Sequence, residues 1–451
     1  MRWVNGQQRR GEPPLVPGSL PFLGAALTFG RDALSLLQEC RREHGDVFTL
    51  YVAGRRMTFV CDTQSYLSVL RSETLKFEPF TDQVMERAFD YPCIRDDLDV
   101  ETIDSMARRR LKGPDLADIS AGMSAEVLRL LEQDPRVQGA SGEFDLYRLI
   151  WDVVFAAGTR VIFGDGVLES GAAQEFQDFD EKFAMLVAGL PRVTTRKARG
   201  ALRSLADTFA EIGAEPSAWM RDRQSLIGGL PASKRGRTQV AVLWATHANT
   251  IPSIFWTVAH VLSSKEATAA VVGEIEEKLG DAAGKPLSRG QLDGLHLIDS
   301  AAREALRLGA GSLIVRKAVE PTQLETRSGT WSIREGDQVC LAPQLTHYDP
   351  EVFERPEEFV IDRFMKGARF EVDGERTAFA FAPFGAGKHT CPGRFFAINE
   401  IKTMVVSLLG QLRFDPISEP LPGFQRGRSG LGIFPPERDL RLRWTRRSDA
   451  K

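Results

Sequence analysis

The sequence predicts an α+β fold, mainly α with small β-sheets. Three observations carry that expectation. A Pro/Gly-rich start leads into one helix and a short strand pair. Helical periodicity then dominates to about residue 310. Beyond it, short β-like pieces alternate with glycines.

Residues 1–30 form the Pro/Gly-rich N-terminal arm, where Pro13, Pro14, Pro17, Gly18, Pro21 and Gly24 exclude a helix and predict an extended segment against the body. A helix over Ala33–Glu43 ends near Gly45. Strands at Val47–Val52 and Met57–Val60 flank Ala53-Gly54. Helices are expected over Val127–Glu132, Leu146–Phe163, Phe176–Val187, Lys197–Gln224, Gln239–Leu262, Lys265–Leu279 and Leu295–Leu308. The β-like pieces are Leu313–Val319, Thr330–Ile333 and Gln338–Leu341, divided by Gly311, Gly329 and Gly336. A long helix begins just past Cys391 and runs to about Leu409; strands near Gly432–Phe434 and Leu440–Trp444 close the chain as a pair. With no internal repeat, linker or composition break, residues 1–451 are expected to form a single domain.

Composition narrows the class. The 451 residues are 43% hydrophobic and 26% charged, values of a globular protein. A net charge of −3 gives no global pull toward nucleic acid. Five cysteines (Cys40, Cys61, Cys93, Cys340 and Cys391) are scattered, with no C-x-x-C pair. That excludes a disulfide scaffold and a zinc ribbon and suggests a reducing compartment. No apolar run approaches the ~20 residues that span a bilayer. The N-terminal residues are polar, so the expectation is a soluble, cytoplasmic chain with no membrane span.

The chemistry concentrates in Phe384–Gly393, F-G-A-G-K-H-T-C-P-G. A Gly-rich loop delivers Cys391 to a helix start, with Pro392 suited to the first helical position. Backbone N–H groups there favour thiolate over thiol. Gly385, Gly387 and Gly393 admit a flat cofactor close to the backbone, and His389 could donate to an acidic group on it. Three rival readings compete. A phosphate loop would need a glycine at Ala382 and a Ser or Thr at His389, and fails at both. A zinc site from His389 and Cys391 has no second ligand pair at usable spacing. An inert buried cysteine is the ordinary alternative, but a Gly-rich loop is a poor place to hide one.

The loop resembles the haem-binding segment F-G-x-G-x-H-x-C-x-G of the cytochrome P-450 family. Glu304-Ala305-Leu306-Arg307 resembles the family's E-x-x-R, and Pro356 to Phe359 with Asp362-Arg363-Phe364 resembles its P-x-x-F-x-x-x-R-F segment. The resemblance covers about residues 12 to 445. It implies a triangular prism with haem buried between a long central helix and the Cys-ligand loop. It implies heme b (iron protoporphyrin IX) with Cys391 as axial iron ligand, and Phe384, Gly385 and Gly393 lining it. It also implies propionate binding by His389 and Arg316, and a structural, buried three-way pair of Glu304, Arg307 and Arg363.

The central helix carries W-A-T-H-A-N-T-I-P, Trp244 to Pro252. The family's matching helix has A-G-x-(D/E)-T-T, whose acid and first threonine help deliver protons during oxygen activation. Here Ala248 replaces the acid and Asn249 the threonine, and an amide cannot relay a proton as a hydroxyl can. Pro252 removes the hydrogen bond to Ala248, so the helix should bend or open at Ala248–Asn249. Asn249, Ala248, Thr250 and His247 are the oxygen-side candidates; the competing reading is a plain proline kink with His247 pointing elsewhere.

A-N-T-I-P is similar to the sterol 7α-hydroxylase, 12α-hydroxylase and prostacyclin synthase branch. So are F-D-E-K-F-A-M-L-V-A-G-L-P, A-P-Q-L-T-H-Y-D-P, C-P-G-R-F-F-A-I-N-E-I-K and G-L-G-I-F-P-P. Members of that branch are membrane-anchored; the expectation here is a soluble cousin of bacterial origin, acting in secondary metabolism. The resemblance implies monooxygenation of a hydrophobic, sterol- or terpenoid-like molecule, with electrons from an external ferredoxin or flavodoxin and its reductase. Lys388, Arg394, Lys402 and Arg108-Arg109-Arg110 could form a basic face for that donor, or one of these arginines could bind a propionate. A reductant-independent isomerase, dehydratase or cyclase acting on an activated O–O or N–O bond is the alternative. A non-enzymatic haem sensor is a third. Residues 87–104 and 179–191 are expected to roof the pocket.

Overall fold

The computed structural model describes residues 8–18, 24–211, 216–365, 367–372 and 374–447. Of the N-terminal arm, residues 1–7 and 19–23 lie outside the described residues. The described part runs along the first strand: Val16 N–H donates to the Thr49 carbonyl at 2.9 Å and Ala25 N–H to Tyr51 at 2.8 Å. The arm is not extended throughout, because α1 (Ala26–Arg31) follows Gly24. α2 (Ala33–His44) starts where the Asp32 carboxylate accepts from Ser35 N–H and stops at Gly45, whose φ of +84° suits glycine.

β1 (Val47–Val52) and β2 (Arg55–Val60) form a hairpin, and β3 (Leu75–Lys76) follows before α3 (Glu78–Phe89). The helical body then builds through α4 (Val100–Arg110), α5 (Pro114–Gln133), β4 (Ser141–Asp145) and α6 (Leu146–Phe163). The expected helix at 127–132 is only the end of the 20-residue α5, whose first half is masked by small and polar residues on its exposed side.

Two expected helices are each two helices. Phe176–Val187 divides at Lys182 into α7 (Ala172–Glu181) and α8 (Phe183–Ala188). Lys197–Gln224 divides into α9 (Arg196–Glu211) and α10 (Ala218–Ile227), with Pro216 ahead of the second. α9 crosses α11 (Ala232–His247) so closely that a Cβ on Gly236 would lie 2.0 Å from the Ala206 carbonyl oxygen.

The central helix breaks where Pro252 requires it. α11 ends at His247 and α12 (Thr250–Ser263) begins at Thr250. Pro252 has no N–H to give the Ala248 carbonyl, while the Asn249 carbonyl accepts from both Ser253 N–H at 3.2 Å and Ser253 Oγ at 2.6 Å. α12 is buried nearly all round, with Ile251, Ile254, Phe255, Val258 and Ala259 in the core, as expected of a helix at the centre of the fold. α13 (Lys265–Lys278) and α14 (His296–Gly309) pack beside it.

After α14, β5 (Ile314–Ala318) and β8 (Gln338–Leu341) complete a five-stranded sheet of order β1-β2-β8-β5-β3, while β6 (Thr322–Thr326) and β7 (Gly329–Ile333) form a separate hairpin. α15 (Arg394–Leu409) runs from the cysteine loop into the core. The expected closing strand pair is not formed. β10 (Arg441–Arg446) pairs instead with β4 and with β9 (Leu412–Phe414), and Ile433 bridges Ala310. No helix among the described residues is long and apolar enough to cross a membrane.

Candidate active site

The cysteine loop is closed by its own backbone. Cys391 N–H donates to the Phe384 carbonyl at 2.9 Å, and the Thr390 hydroxyl donates to the Gly387 carbonyl at 2.7 Å. Gly385 and Gly387 adopt φ of +76° and +71°, values that other residues adopt at a cost. The first helical residue is Arg394, so Pro392 stands two residues ahead of the helix rather than at its first position. Burial pushes the Cys391 thiol up, while the nearby backbone N–H groups of Gly393 and Arg394 and the Arg394 charge pull the other way. A cation on the sulfur would tip that balance to thiolate.

Cys391 faces a cavity of about 500 Å³. Phe384, Gly385, Cys391, Gly393, Phe396 and Ala397 line one wall, and Ala241, Val242, Ala245, Thr246, Asn249 and Thr250 the other. The wall with the sulfur is glycine backbone flanked by the rings of Phe384 and Phe396, and the facing wall is the broken central helix, which suits a flat group between them.

A neighbouring hollow, which shares Ile103, Asp104, Arg223 and Ala241 with this cavity, is bordered by Arg108, Lys388 and His389. Arg316 is 3% exposed, and among the described residues its guanidinium donates only to the Val315 carbonyl, at 2.9 Å. It lies 5.2 Å over the Phe77 ring, against which His389 also packs at 4.5 Å. Burial lowers the Arg316 pKa, opposed by Glu78. Arg108 donates to the Lys388 carbonyl, and its other nitrogen is 3.8 Å from Asp104. His389 is held down to about 4, first by burial and then by Arg316, with Lys388 and Arg108 adding to it. A buried guanidinium without a bonded carboxylate, beside a second arginine and a histidine, fits a cofactor bearing carboxylates. Haem with its propionates toward Arg316, Arg108 and His389, and Cys391 toward iron, matches these residues. Arg108 was legible only as one of three adjacent arginines; its spacing of four from Asp104 placed it on a helix face without saying which face.

Behind the cavity, Glu304 accepts from Arg307 Nε and Nη2, both at 2.8 Å, from Arg363 Nε at 2.9 Å and from Val360 N–H at 3.1 Å. Both Glu304 and Arg307 are fully buried. The remaining Arg307 donors go to the carbonyls of His347, Pro356 and Glu358. The structure thus assembles the three residues into one ion cluster, fully hydrogen-bonded.

On the oxygen side, Asn249 and Thr250 border the cavity, and Ala248 is buried at the helix break. Asn249 Oδ1 accepts from Ile433 N–H at 3.0 Å, and that backbone donor fixes which end of the amide is oxygen. Its NH₂ remains the donor at the cavity edge. His247 is not at the cavity. It turns away, its Nε2 bonded to Thr159 Oγ1 at 3.1 Å and its ring packed on Phe155 at 4.9 Å. Burial depresses it to about 3, so it stays neutral. The roof segments are placed only in part: Ile103 and Asp104 line the cavity, whereas Phe183 stacks on Trp244 at 3.9 Å outside it. Lys402 is also displaced from its expected surface; it is buried, donating to the Leu292 carbonyl at 3.0 Å and pairing with Asp299 at 3.1 Å.

A family model described as cytochrome P-450 matches residues 13–206 and 237–441. The chain is 33% identical over 472 residues to cytochrome P-450 7A1 of Oryctolagus cuniculus, covering 97% of this chain and 94% of the relative. It is 32% identical to cholesterol 7-alpha-monooxygenase of Cricetulus griseus, over 98% and 95% of the two chains. Prostacyclin synthase of Rattus norvegicus is 32% identical over 98% and 95%. These relatives are mammalian, which overturns the expectation of a bacterial, cytoplasmic protein. That expectation rested on the polar start of the chain, which carries no information about the organism. The relatives are enzymes by name, so the sensor reading is set aside.

Proposed function

The chain belongs to the cytochrome P-450 family and is an oxidoreductase of the haem monooxygenase kind, and from that premise we propose that it hydroxylates a sterol or sterol-like hydrophobic molecule. The whole chain serves as one haem domain holding iron protoporphyrin IX through Cys391. The net reaction consumes O₂, two electrons and two protons, and yields hydroxylated product and water. When bound, the haem supplies the oxygen activation, and electron donation from the thiolate favours O–O cleavage.

The protein's own residues do the rest. The N–H groups of Gly393 and Arg394 favour the thiolate form of Cys391. Arg316, Arg108 and His389 orient the cofactor by its carboxylates. The Asn249 NH₂ offers a hydrogen bond at the cavity edge, and apolar Val242, Ala245 and Ile433 exclude water around the substrate. The observation that carries the reading is the cysteine loop set across this cavity from the broken helix. Electrons come from a separate acidic ferredoxin or flavodoxin. Arg394, Arg289 and Arg303 supply the basic side chains around the hollow bearing the exposed Phe395; Lys402 lines it too but is paired with Asp299, and Lys388 borders a separate hollow.

A second reading follows from Ala248 and Asn249: isomerisation of a substrate whose O–O bond is already present, supported by similarity to prostacyclin synthase. Labelled oxygen separates the two. Incorporation of ¹⁸O from ¹⁸O₂ with an added ferredoxin and reductase supports hydroxylation; turnover without reductant supports isomerisation. The cofactor assignment is tested by the reduced, carbon monoxide-bound spectrum. It should show the red-shifted Soret band of thiolate-ligated haem, and Cys391→Ala should abolish it.

A further inference from the structure

The acid missing at Ala248 has a counterpart elsewhere on the cavity wall. Glu400 lies on α15, is 2% exposed and lines the cavity in front of Cys391. Among the described residues its Oε1 is buried with no hydrogen-bond partner, and so is Nδ1 of His247. Both orphan atoms border one notch, opened by the absent side chain of Gly158 on α6. A Cβ on Gly158 would stand 3.4 Å from His247 Nδ1 and 3.7 Å from Glu400 Oε1, and would strike His247 Cε1 at 2.7 Å. Two buried polar atoms facing one small space are the ordinary setting of an internal water.

The tautomer follows from Thr159. Among the described residues, its hydroxyl has no partner besides His247 Nε2. Donation of the hydroxyl hydrogen to Nε2 satisfies Thr159 as a donor, and that tautomer carries the ring proton on Nδ1, facing the notch. Phe155 and Phe176 wall the imidazole, and Thr403, one turn beyond Glu400, presents a hydroxyl that is also buried without a partner among the described residues. Burial alone perturbs both titrating groups, keeping the imidazole uncharged and holding the Glu400 carboxyl well above the usual carboxylate range; no charged residue on the surrounding helices acts on either.

We propose that one water in the Gly158 notch links His247 Nδ1–H to Oε1 of a neutral Glu400, and that Glu400 is a proton donor to the haem cavity in place of the acid absent at Ala248. His247 is a positioning residue: through the water it holds the Glu400 carbonyl oxygen, so that the acid hydrogen on Oε2 is free for the cavity. Glu400 gives one of the two protons that end in product water, passes to carboxylate, and is restored by a proton from solvent. This role rests on the monooxygenase reading above.

Difference infrared spectroscopy of the purified haem-loaded protein tests the link without turnover. At neutral pH a protonated carboxylic acid band should be present and should vanish in Glu400→Gln. It should move to higher frequency in both Gly158→Ala and His247→Phe, because the carbonyl oxygen loses its hydrogen bond. Absence of a band lost in Glu400→Gln means an ionised Glu400 and overturns the proposal, as does a band unmoved in both notch variants. Product formed per electron pair should fall about a hundredfold in Glu400→Gln, the low end of a general-acid contribution, while the carbon monoxide Soret band is kept. An undiminished yield would overturn the donor role. If the wild type incorporates no oxygen from O₂, the monooxygenase reading and the donor role fall together, and the infrared bands still decide the bridge.

Discussion

Replacing Glu304 by alanine should unfold this protein more readily than any other single change behind the cavity. The carboxylate accepts four hydrogen bonds, three from two arginines and one from the Val360 N–H. Arg307 is 0% exposed and Arg363 9%, so neither cation can turn to water when the anion goes. Breaking a buried pair by removing one partner costs about 3–5 kcal/mol. The Val360 N–H, if left without an acceptor, adds about 1–3 kcal/mol. Water entering the space returns part of this, so a net loss of about 4 kcal/mol is expected, on the order of a thousandfold in the folding equilibrium. That is a large share of the 5–15 kcal/mol typical of a whole domain. Glu304→Gln should lose nearly as much, because its amide NH₂ would face a guanidinium donor. Arg363→Ala should lose less, since Glu304 and Arg307 remain a matched pair. Urea unfolding followed by far-ultraviolet circular dichroism measures all three, with the slope checked for constancy. A loss below about 1 kcal/mol for Glu304→Ala, the range of exposed pairs, would refute the reasoning.

Arg316→Ala should lower haem retention during gel filtration several-fold while leaving the position of the carbon monoxide band unchanged, because the side chain is assigned to the propionates and not to iron. His347 gives a pH signature: burial, with Arg307 beside it, depresses it from 6.5 to about 3. Between those values the unfolded chain binds a proton that the folded chain refuses, so stability falls as pH drops, by about 1.4 kcal/mol per pH unit from this group. His347→Gln, which can still accept from Ala382 N–H, should flatten the stability–pH curve by that amount in that window. Gly236→Ala should destabilise the fold by about 1–3 kcal/mol, read as a lower urea midpoint, because its Cβ would meet the backbone of Ala206 and not a movable side chain.

What the sequence disclosed was local. The Phe384–Gly393 motif, the Glu304–Arg307 spacing and the proline in the central helix each act within a turn or two, and Leu146–Phe163 and Gln338–Leu341 fall where their patterns end. Long-range facts were hidden. Residues 432–434 read as half of a terminal hairpin, yet they cross to Ala310 because Gly311 N–H finds the Gly432 carbonyl at 2.8 Å. Ser141–Asp145 has one buried side chain in five and becomes a strand only because β10 lies beside it. Lys402 reads as surface charge and is buried against Asp299, 103 positions away in the sequence of α14 and α15. Glu400 and His247 are 153 positions apart, and a glycine on a third helix, not any spacing, makes them neighbours.

Asn249 joins the two kinds of information. As a residue type it reads as a threonine lost from a proton path, which suggests restoring the hydroxyl by Asn249→Thr. The geometry argues against a simple gain. Asn249 Oδ1 holds Ile433 N–H across the cavity edge at 3.0 Å. Gly432 is glycine for that contact, since a Cβ there would stand 1.9 Å from the same oxygen, at a φ of +143°. The shorter threonine side chain cannot reach the Ile433 N–H from the same backbone, so a hydroxyl is gained and a tether from the broken helix to residues 432–433 is lost. Asn249→Thr should therefore reduce product yield per electron pair, and Gly432→Ala should do the same with Asn249 intact, because both release one contact. Hydrogen exchange at Ile433 should speed up in both variants by about fivefold or more, the weight of one hydrogen bond of ~1 kcal/mol. A rise in yield for Asn249→Thr with Ile433 exchange unchanged would show that the residue matters as a missing hydroxyl and not as a tether.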